Sequence, residues 1–412
     1  MINTQRLKDD FEAISKFGKL KDGGLTRLAF SKDDFEAREF LINLIKQAGF
    51  GVKIDAVGNI YARYEANVKD ANLPAISVGS HIDSVPSGGF YDGTLGVMAG
   101  LEVMRSIKES GESLARAIEL IVFVCEESSR FKMATIGSKI VSKKLDVNKL
   151  KELKDDNGIS VFEAMKNFGL NPDDLASCIL KDETYKAYIE LHIEQGPVLE
   201  RLGIPVGLVS GIAAPIRYEV KIIGKADHSG ATPMIMRKDA LVCASRIILE
   251  IENLAKQYPT SVATVGYAKA LPGVLNVIPG ECILGLDIRD IDSKNLTLLD
   301  EQICTQIEQI CKANGCVFEL KNLTRDTPIV LDEELIDLMD AQANKLGIKT
   351  TILPSGAGHD AMHMCGIAKQ VGMIFVPCVD GISHNINESI NFDDAFKATE
   401  LLASLVLKLA KE

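Results

Sequence analysis

Apolar runs and helical periodicity alternate along most of the chain. Near-continuous apolar runs, typical of strands buried in a parallel sheet, lie at residues 75–78, 117–125, 185–191 and 371–377. Hydrophobic residues at helical spacing predict helices at residues 4–17, 31–49, 94–107, 136–145, 161–168, 172–176, 333–346 and 393–409. This alternation predicts an α/β domain whose sheet is mixed but mainly parallel and is flanked by helices.

The pattern changes past residue 211. Residues 217–223 and 285–290 alternate polar and apolar positions, as half-exposed antiparallel strands do. With predicted helices at 239–257 and 296–313, and strands at 262–268 and 317–323, the order is strand-helix-strand-strand-helix-strand. We therefore predict an inserted α+β (ferredoxin-like) domain at 212–328, interrupting a larger domain formed by residues 1–211 and 329–412.

Composition narrows the class of partner. The chain has 412 residues, a formal net charge of −11 and no clustered basic run, which argues against nucleic acid or an anionic membrane and favours a small molecule. Nine cysteines without a C-x-x-C pair are typical of reduced cytosolic thiols. Because no signal peptide or run of ~20 apolar residues is seen, we expect a cytoplasmic protein with no membrane span.

Candidate metal ligands follow the apolar runs. His81 and Asp92 lie in a glycine-rich loop after the first run, Glu126 and Glu127 end the second, and His192 ends the third. Of the six histidines, four lie just beyond strand-like segments or in glycine-rich loops: 81, 192, 359 and 384. Three histidines and two carboxylates suit a pair of divalent ions such as Zn, Mn, Co or Ni sharing one bridging carboxylate. The alternatives are that these residues lie in solvated turns or are hydrogen-bonded histidines of the core. We keep the interpretation as a core histidine for His363, which lies in a predicted helix.

A set of longer motifs runs nearly end to end: Gly79-Ser-His81-Ile-Asp83-Ser-Val-Pro, Gly88-Gly-Phe-Tyr-Asp92-Gly, Glu126-Glu127-Ser-Ser-Arg130-Phe131, His192-Ile-Glu-Gln195-Gly, Ala226-Asp-His228-Ser-Gly, Asn276-Val-Ile-Pro-Gly, Asp287-Ile-Arg289, Gly358-His359-Asp360-Ala and Gly381-Ile-Ser-His384-Asn. In these motifs the chain resembles the M20 metallopeptidase-type amidohydrolases. The resemblance is to their hydantoinase/carbamoylase branch, which includes N-carbamoyl-L-amino acid hydrolases, β-ureidopropionases and allantoate amidohydrolases.

The resemblance implies a role for each candidate metal ligand. It makes Asp92 the bridge between two ions, His81 and His192 the ligands of one, and Glu127 and His384 the ligands of the other. It also implies that Asp83 holds His81 from behind and that Glu126 is the general base, which takes a proton from water and delivers it to the leaving nitrogen. The alternative for the two glutamates is a pair of solvated acids at a strand end.

Further residues are implied to bind substrate. His228, on an inserted domain that serves as lid and dimerisation surface, would reach the partner subunit's site and bond the oxyanion. Arg289 would hold a substrate carboxylate with Asn276 beside it, and Gln195 would orient the ureido group. Two alternatives to substrate binding stay open: His228 is a polar loop residue, and Arg289 forms a surface salt bridge. The chain departs from many relatives by Ser229 and Ala231, and by the absence of a proline in residues 385–387.

The function implied is that of a homodimeric hydrolase with two divalent ions per subunit, acting on a small molecule that carries a carboxylate and a ureido group. The first hypothesis is an N-carbamoyl-L-amino acid hydrolase, because relatives that are true peptidases usually place a carboxylate where this chain has His192. Allantoate amidohydrolase and β-ureidopropionase are the nearest alternatives. A dipeptidase or N-acyl-amino acid deacylase comes next, and a non-catalytic binding module, which would lack a ligand or the base, comes last.

Overall fold

The computed structural model of the protein describes residues 2–66, 68–70 and 72–412. Its helices are α1 Thr4–Ile14, α2 Lys32–Gln47, α3 Thr94–Ser110, α4 Ile136–Val141, α5 Val147–Glu152, α6 Val161–Asn167, α7 Val198–Leu202, α8 Ala240–Ala255, α9 Ser293–Ala313, α10 Glu333–Leu346, α11 Ala361–Met364 and α12 Phe392–Lys411. Its strands are β1 Gly51–Ile54, β2 Ile60–Tyr64, β3 Ala75–His81, β4 Ile118–Phe123, β5 Tyr185–Ile193, β6 Val206–Ile212, β7 Ala214–Ile223, β8 Asp227–His228, β9 Val262–Leu271, β10 Val277–Ile278, β11 Glu281–Asp290, β12 Val317–Arg325, β13 Ile329–Val330, β14 Thr350–Ser355 and β15 Ala368–Val376. Short 3₁₀ helices lie at Pro172–Cys178, Met234–Met236 and Val379–Gly381.

The chain separates into two compact units. The first contains residues 1–210, 331–353 and 359–412, and the second, the inserted unit, contains residues 211–330 and 354–358. The short segment 354–358 belongs to the inserted unit, although in sequence it follows residue 330 at a distance and begins at the end of β14.

The first unit is built on one twisted sheet. Its strands follow the order β1-β2-β4-β3-β5-β15-β6, with β14 also pairing with β6. The four central strands are parallel: β3 pairs with β4 and with β5, and β15 pairs with β5. Every residue of β3 is buried, as is the face of α3 that covers the sheet, and each fully buried Val or Ile contributes ~1.5–3 kcal/mol of transfer free energy. The predicted mixed, mainly parallel sheet with flanking helices is confirmed.

The parallel arrangement sets where polar side chains meet. In the sheet His81 is paired with Phe123, and His192 is paired with Phe375 on the other side of β5. The carboxyl ends of β3, β4, β5 and β15 therefore lie at one edge of the sheet, and the loops that follow them share that edge.

Several elements differ from the sequence prediction. The helix predicted at 136–145 ends at Val141, and the helix predicted at 172–176 is a 3₁₀ helix. Strands β6 and β14 and helices α5 and α7 were not predicted. Two helix starts are capped by side chains: Ser31 accepts the Asp34 N–H at the start of α2, and Asp239 accepts the Leu241 and Val242 N–H groups at the start of α8.

The inserted unit has the predicted strand-helix-strand-strand-helix-strand order, with a four-stranded antiparallel sheet of order β12-β7-β11-β9. Its core lies between α8, α9 and the sheet face that carries Tyr218, Val220 and Ile222. The other face of β7 and β11 carries polar residues at alternating positions, which include Arg217, Asp287 and Arg289. Beside the sheet, β8 and β10 form a two-stranded ribbon that pairs His228 with Val277.

Within the described part of the chain, no helix is both long and apolar enough to cross a membrane.

Candidate metal centre

Four donor side chains of the first unit converge on a fifth, Asp92. The Nε2 atoms of His81 and His192 lie 3.4 Å and 3.2 Å from Asp92 Oδ1. On the other carboxylate oxygen, His384 Nε2 lies 3.2 Å from Asp92 Oδ2 and 3.4 Å from Glu127 Oε1. The donors thus form two groups that share Asp92: His81, Asp92 and His192, and Asp92, Glu127 and His384. These are the five residues to which the resemblance assigned ligand roles.

Backbone carbonyls fix the orientation of two imidazoles. His81 Nδ1 lies 3.0 Å from the Asp83 carbonyl oxygen, and His192 Nδ1 lies 2.9 Å from the Ile193 carbonyl oxygen. Since a carbonyl can only accept, each Nδ1 carries a hydrogen, and Nε2 is the ring nitrogen that faces Asp92 and could bind an ion. Two acceptors this close need a cation or a proton between them, so the donor set fits a divalent ion of the N/O type.

The pKa values of Asp92 and His384 also indicate a site that fits a cation. Burial raises the pKa of Asp92, but the charge and hydrogen bonds of His192, His384 and His81 outweigh it and hold the pKa well below its usual range. Hydrogen bonds to Asp92 and Glu127 raise the pKa of His384 to about 11. Imidazoles with raised pKa values must lose a proton before they can bind an ion, so ion binding should release protons and strengthen as the pH rises.

The cluster is open on one side. The side chains of His81 and His192 are each 2% exposed, whereas that of His384 is 49% exposed. The close approach at the buried end depends on Gly93, where φ is +62° and an added Cβ would lie 2.4 Å from the His81 ring. Any side chain at this position would displace a ligand.

Glu126 lies beside the cluster without belonging to either donor group. Its Oε2 is 3.7 Å from His81 Nε2, and the residue is only 8% exposed. Burial raises the pKa of Glu126 well above its usual value, with the charge of His81 acting against this. A buried carboxylate with a raised pKa, next to but outside the donor groups, has the properties of a general base.

Asp83 lies next to His81, and both its carbonyl and its carboxylate approach the ring. His81 Nδ1 donates its hydrogen bond to the Asp83 carbonyl oxygen, and the nearer Asp83 carboxylate oxygen lies 3.7 Å from the same Nδ1. The carboxylate oxygens accept the backbone N–H groups of Glu126 and Glu127, at 3.2 Å and 3.0 Å. Asp83 therefore fixes the end of β4 against the end of β3, and with it the positions of both glutamates.

Gln195 contacts the shared carboxylate. Its Nε2 donates to Asp92 Oδ2 at 2.6 Å, while its buried Oε1 has no hydrogen-bond partner among the described residues. Its φ of +58° holds the side chain in this direction. An ion on Asp92 Oδ2 would compete with the amide, which would then be available to another partner.

Some polar residues next to the cluster were missed by sequence reasoning. Glu190 precedes His192 by two positions in β5, so both point to the same face, and with His359 they form a third group of possible donors. Glu190 is already used, because it accepts hydrogen bonds from Ser80 and from the Ala361 N–H. The signal that could have found it is a glutamate inside an otherwise apolar strand.

Arg27 was also missed. It is fully buried and donates to the backbone carbonyls of Ile14, Phe17 and Ile82, the last of which lies between His81 and Asp83. Burial lowers the pKa of Arg27 to about 10. This arginine ties the ligand loop to helix α1 and the segment that follows it.

The inserted unit carries the predicted carboxylate-binding arginine. Arg289 donates to both oxygens of Asp287, through Nε at 2.9 Å and Nη2 at 3.2 Å, and through Nη1 to the Gly356 carbonyl at 2.7 Å. Arg217 donates to the same aspartate at 2.8 Å. Two arginines and one aspartate leave a net charge of +1, beside a cavity of about 560 Å³ that Arg217, Asp287 and Arg289 help to line. Arg289 thus forms a salt bridge, which was the alternative to substrate binding in the sequence analysis. One N–H on each of its terminal nitrogens is not used in these hydrogen bonds and could donate to another acceptor.

His228 and Asn276 lie together on the two-stranded ribbon. His228 is exposed, and its Nδ1 accepts the N–H groups of Gly230 and Ala231 at 3.1 Å and 3.2 Å. In the neutral ring these contacts place the hydrogen on Nε2, which can then donate to a ligand. The exposed Asn276 is bound to the ribbon through its carbonyl, which accepts from the Ser229 N–H.

The α/β unit with a two-group His/Asp/Glu cluster at its strand ends, together with the α+β insert, defines a class of metal-dependent hydrolases. Residues 77–408 match the profile of Peptidase family M20/M25/M40. The chain is 41% identical over 411 residues to an "Uncharacterized hydrolase" of Haemophilus influenzae, covering 100% of this chain and 99% of the relative. It is 39% identical over 411 residues to the N-carbamoyl-L-amino acid amidohydrolase of Geobacillus stearothermophilus, covering 100% of both chains.

A solved structure agrees in fold over the whole chain. The hydantoinase/carbamoylase family amidase from Burkholderia multivorans has a TM-score of 0.93 and 32% identity, covering 100% of this chain and 98% of that chain. Further relatives carry the names allantoate amidohydrolase and ureidoglycolate hydrolase. The chain therefore belongs to the M20 family, in its hydantoinase/carbamoylase branch, and is an amidohydrolase acting on amide or ureido C–N bonds.

Proposed function

We propose that the protein hydrolyses the ureido C–N bond of N-carbamoyl-L-amino acids and releases the amino acid, CO2 and ammonia. The observation that supports this most is the convergence of three imidazoles and Glu127 on Asp92, with the buried Glu126 beside them. Relatives named N-carbamoyl-L-amino acid amidohydrolase that match over the whole chain give the proposal its substrate.

His81, Asp92 and His192 would hold one divalent ion, and Asp92, Glu127 and His384 would hold the other, with Asp92 as the shared ligand. The nitrogen and carboxylate donors suit Zn, Mn, Co or Ni. Such ions, when bound, polarise a carbonyl and lower the pKa of water. Asp83 supports this arrangement through the backbone of Glu126 and Glu127.

Glu126 would be the general base and then the general acid. It would accept a proton from the attacking water and pass it to the departing nitrogen of the ureido group. Its burial supports the role, because a raised pKa makes the carboxylate a stronger base toward water, and the carboxylic acid that forms can still protonate a leaving amine nitrogen.

His228 would donate an Nε2–H hydrogen bond to the oxygen that becomes negative as water adds to the carbonyl. The contacts from Gly230 and Ala231 support this because they orient the neutral ring in advance. In the resemblance this histidine serves the partner subunit, so the inserted unit would act as both a lid and a dimerisation surface.

Arg289 would bind the substrate carboxylate, with Asn276 beside it and Gln195 orienting the ureido group. The net charge of +1 on Arg217, Asp287 and Arg289 supports recognition of an anion, and Asp287 holds the Arg289 guanidinium from the side. Holding the guanidinium in this way reduces the conformational entropy that Arg289 loses when the substrate carboxylate binds.

Allantoate is the second candidate substrate, because relatives with that activity in their names also match over nearly the full chain. It contains both a carboxylate and a ureido group, so the same residues could serve it. A peptide is a weaker candidate, since His192 stands where the resemblance places a carboxylate in peptidases.

The test is a substrate panel with purified protein and added Mn or Zn. Ammonia and free amine would be measured with N-carbamoyl-L- and D-amino acids, N-carbamoyl-β-alanine, allantoate and an L,L-dipeptide. We expect kcat/KM for an N-carbamoyl-L-α-amino acid to exceed the others by at least about tenfold, or ~1.4 kcal/mol of transition-state binding. A preference for allantoate would favour the second candidate, and cleavage of the dipeptide alone would contradict the proposal.

A further inference from the structure

Glu388 joins the two loops that carry Asp92 and His384. We name residues 88–92 the bridging loop and residues 383–388 the histidine loop. The Glu388 carboxylate is 4% exposed and accepts the Tyr91 N–H at 2.9 Å and the Asp92 N–H at 3.3 Å through Oε1. Its other oxygen accepts the Ser383 hydroxyl at 2.9 Å, next to His384. Glu388 therefore contacts the backbone of Asp92 directly and His384 through its neighbour Ser383.

The bridging loop is shaped to receive this carboxylate. A Cβ added at Gly89 would lie 2.0 Å from Glu388 Oε1 and 2.4 Å from Glu388 Cβ, a distance that real Cβ atoms do not adopt. Only glycine at position 89 allows the contact. This gives a physical reason for the second glycine of the Gly88-Gly89 pair.

Ser383 has one hydroxyl hydrogen and two candidate acceptors. Its Oγ lies 2.9 Å from Glu388 Oε2 and 3.2 Å from Asp92 Oδ2. Donation to Glu388 leaves a lone pair of Asp92 Oδ2 available for an ion. Without the Glu388 carboxylate the hydroxyl would turn to Asp92 and compete with that ion.

We propose that Glu388 is a positioning residue that fixes the bridging loop against the histidine loop and thereby sets the affinity of the centre for divalent ions. It would act through Asp92, His384 and Ser383, without touching the substrate. The inference rests on the proposed metal-binding roles of Asp92 and His384.

The test compares Glu388→Gln with a matched control, Asp55→Asn. Asp55 is also a buried carboxylate, 7% exposed, and accepts the N–H groups of Val57, Gly58 and Asn59 at 2.8 to 3.1 Å. Neither substitution changes side-chain size, and Asp55 contacts no candidate ligand in the hydrogen bonds of the described chain. For each variant, Zn affinity would be measured by competition with a fluorescent chelator, and Tm would be measured on the metal-free protein.

We expect Glu388→Gln to weaken Zn binding about 10–100-fold, as substitutions behind metal ligands do. Asp55→Asn should lower the Tm at least as much but change the affinity by less than about twofold, as expected for an independent site. Wild-type affinity in Glu388→Gln would overturn the proposal, and so would an equal loss of affinity in both variants. If the wild-type protein bound no Zn, the proposed function itself would fail.

Ser383→Ala provides a second variant if Glu388→Gln does not fold. It removes the contact of Glu388 with the histidine loop while keeping the carboxylate on the bridging loop. We expect a smaller loss of Zn affinity in the same direction, because Glu388 keeps its contacts with the Tyr91 and Asp92 N–H groups. Combined with Glu388→Gln it should add no further loss, because the contact between residues 383 and 388 is already broken and no hydroxyl is left to turn to Asp92. Wild-type affinity in Ser383→Ala, or full additivity with Glu388→Gln, would contradict the role assigned to that contact.

Discussion

Replacing Glu126 by glutamine tests the proposed base with little change of shape. Glutamine fills the same volume and can still hydrogen-bond, but it cannot accept a proton. The backbone N–H of residue 126 would still donate to Asp83, at 3.2 Å in the wild-type protein, so the segment that carries Glu127 should stay in place. Glu126 also belongs to neither group of ligand atoms around Asp92, so metal content should be retained.

The expected loss is large. General base catalysis by a positioned side chain contributes ~10²–10⁴-fold, so kcat of Glu126→Gln should fall by that factor, or ~2.7–5.4 kcal/mol of activation free energy. The fall should appear in kcat rather than in KM, because the carboxylate acts on water and the leaving nitrogen and does not hold the substrate.

The pH dependence of the activity provides an independent test of Glu126 as the base. Burial raises the pKa of Glu126 well above its ordinary value in the metal-free protein, and bound cations would lower it again. A base works only when deprotonated, so wild-type activity should fall as the pH drops through this pKa. The acidic limb due to Glu126 should be absent from the residual activity of Glu126→Gln.

The assay is ammonia release at saturating N-carbamoyl-L-amino acid, with metal content measured on the same samples. Glu119→Gln is the control, because Glu119 is a largely buried glutamate of β4 whose carboxylate accepts from the Tyr185 hydroxyl. It should keep wild-type kcat. Loss of metal from Glu126→Gln would mean that the roles of Glu126 and Glu127 are exchanged, and an unchanged kcat would refute the proposed base.

Three further substitutions test the remaining roles. Asp83→Asn should weaken metal binding by about 10–100-fold, seen by chelator competition, because an amide cannot accept both N–H groups that the carboxylate holds; unchanged affinity would contradict this. His228→Ala should lower kcat by ~10²–10³-fold with metal content unchanged, and loss of metal would place His228 elsewhere in the mechanism. Arg289→Lys should lower kcat/KM by ~2–4 kcal/mol for substrates with a carboxylate and leave substrates without one unaffected; if it behaved like wild type, Arg217 would be the next candidate for the substrate anchor.

The strand ends were predictable because they depend on local pattern. The apolar runs before His81, Glu126 and His192 predicted buried strands, and parallel pairing then placed their carboxyl ends at one edge of the sheet. Strands β6 and β14 were not predicted, since Val206–Ile212 contains two glycines and Thr350–Ser355 ends beside a glycine-rich loop. Both are strands because of pairing with distant segments, which local composition does not show.

The residues behind the candidate ligands were harder to predict. The resemblance implied that Asp83 supports His81, but the sequence did not show that the Asp83 carboxylate accepts N–H groups 43 and 44 positions away. Glu388 reaches Tyr91 across 297 positions. Such contacts depend on which backbone groups the fold brings near, and every non-proline residue carries the same N–H, so the sequence gives no local signal for them.

Metal dependence is tested most directly by removing all divalent ions and adding them back in measured amounts. Protein treated with a chelator should lose hydrolysis of an N-carbamoyl-L-amino acid, and Zn, Mn, Co or Ni should restore it, with activity reaching its maximum at two ions per chain. Calorimetric titration should count the same two ions, and His384→Ala should lower the count to one. Full hydrolytic activity in protein shown by elemental analysis to be free of metal would contradict the role assigned to Asp92 and the four residues around it.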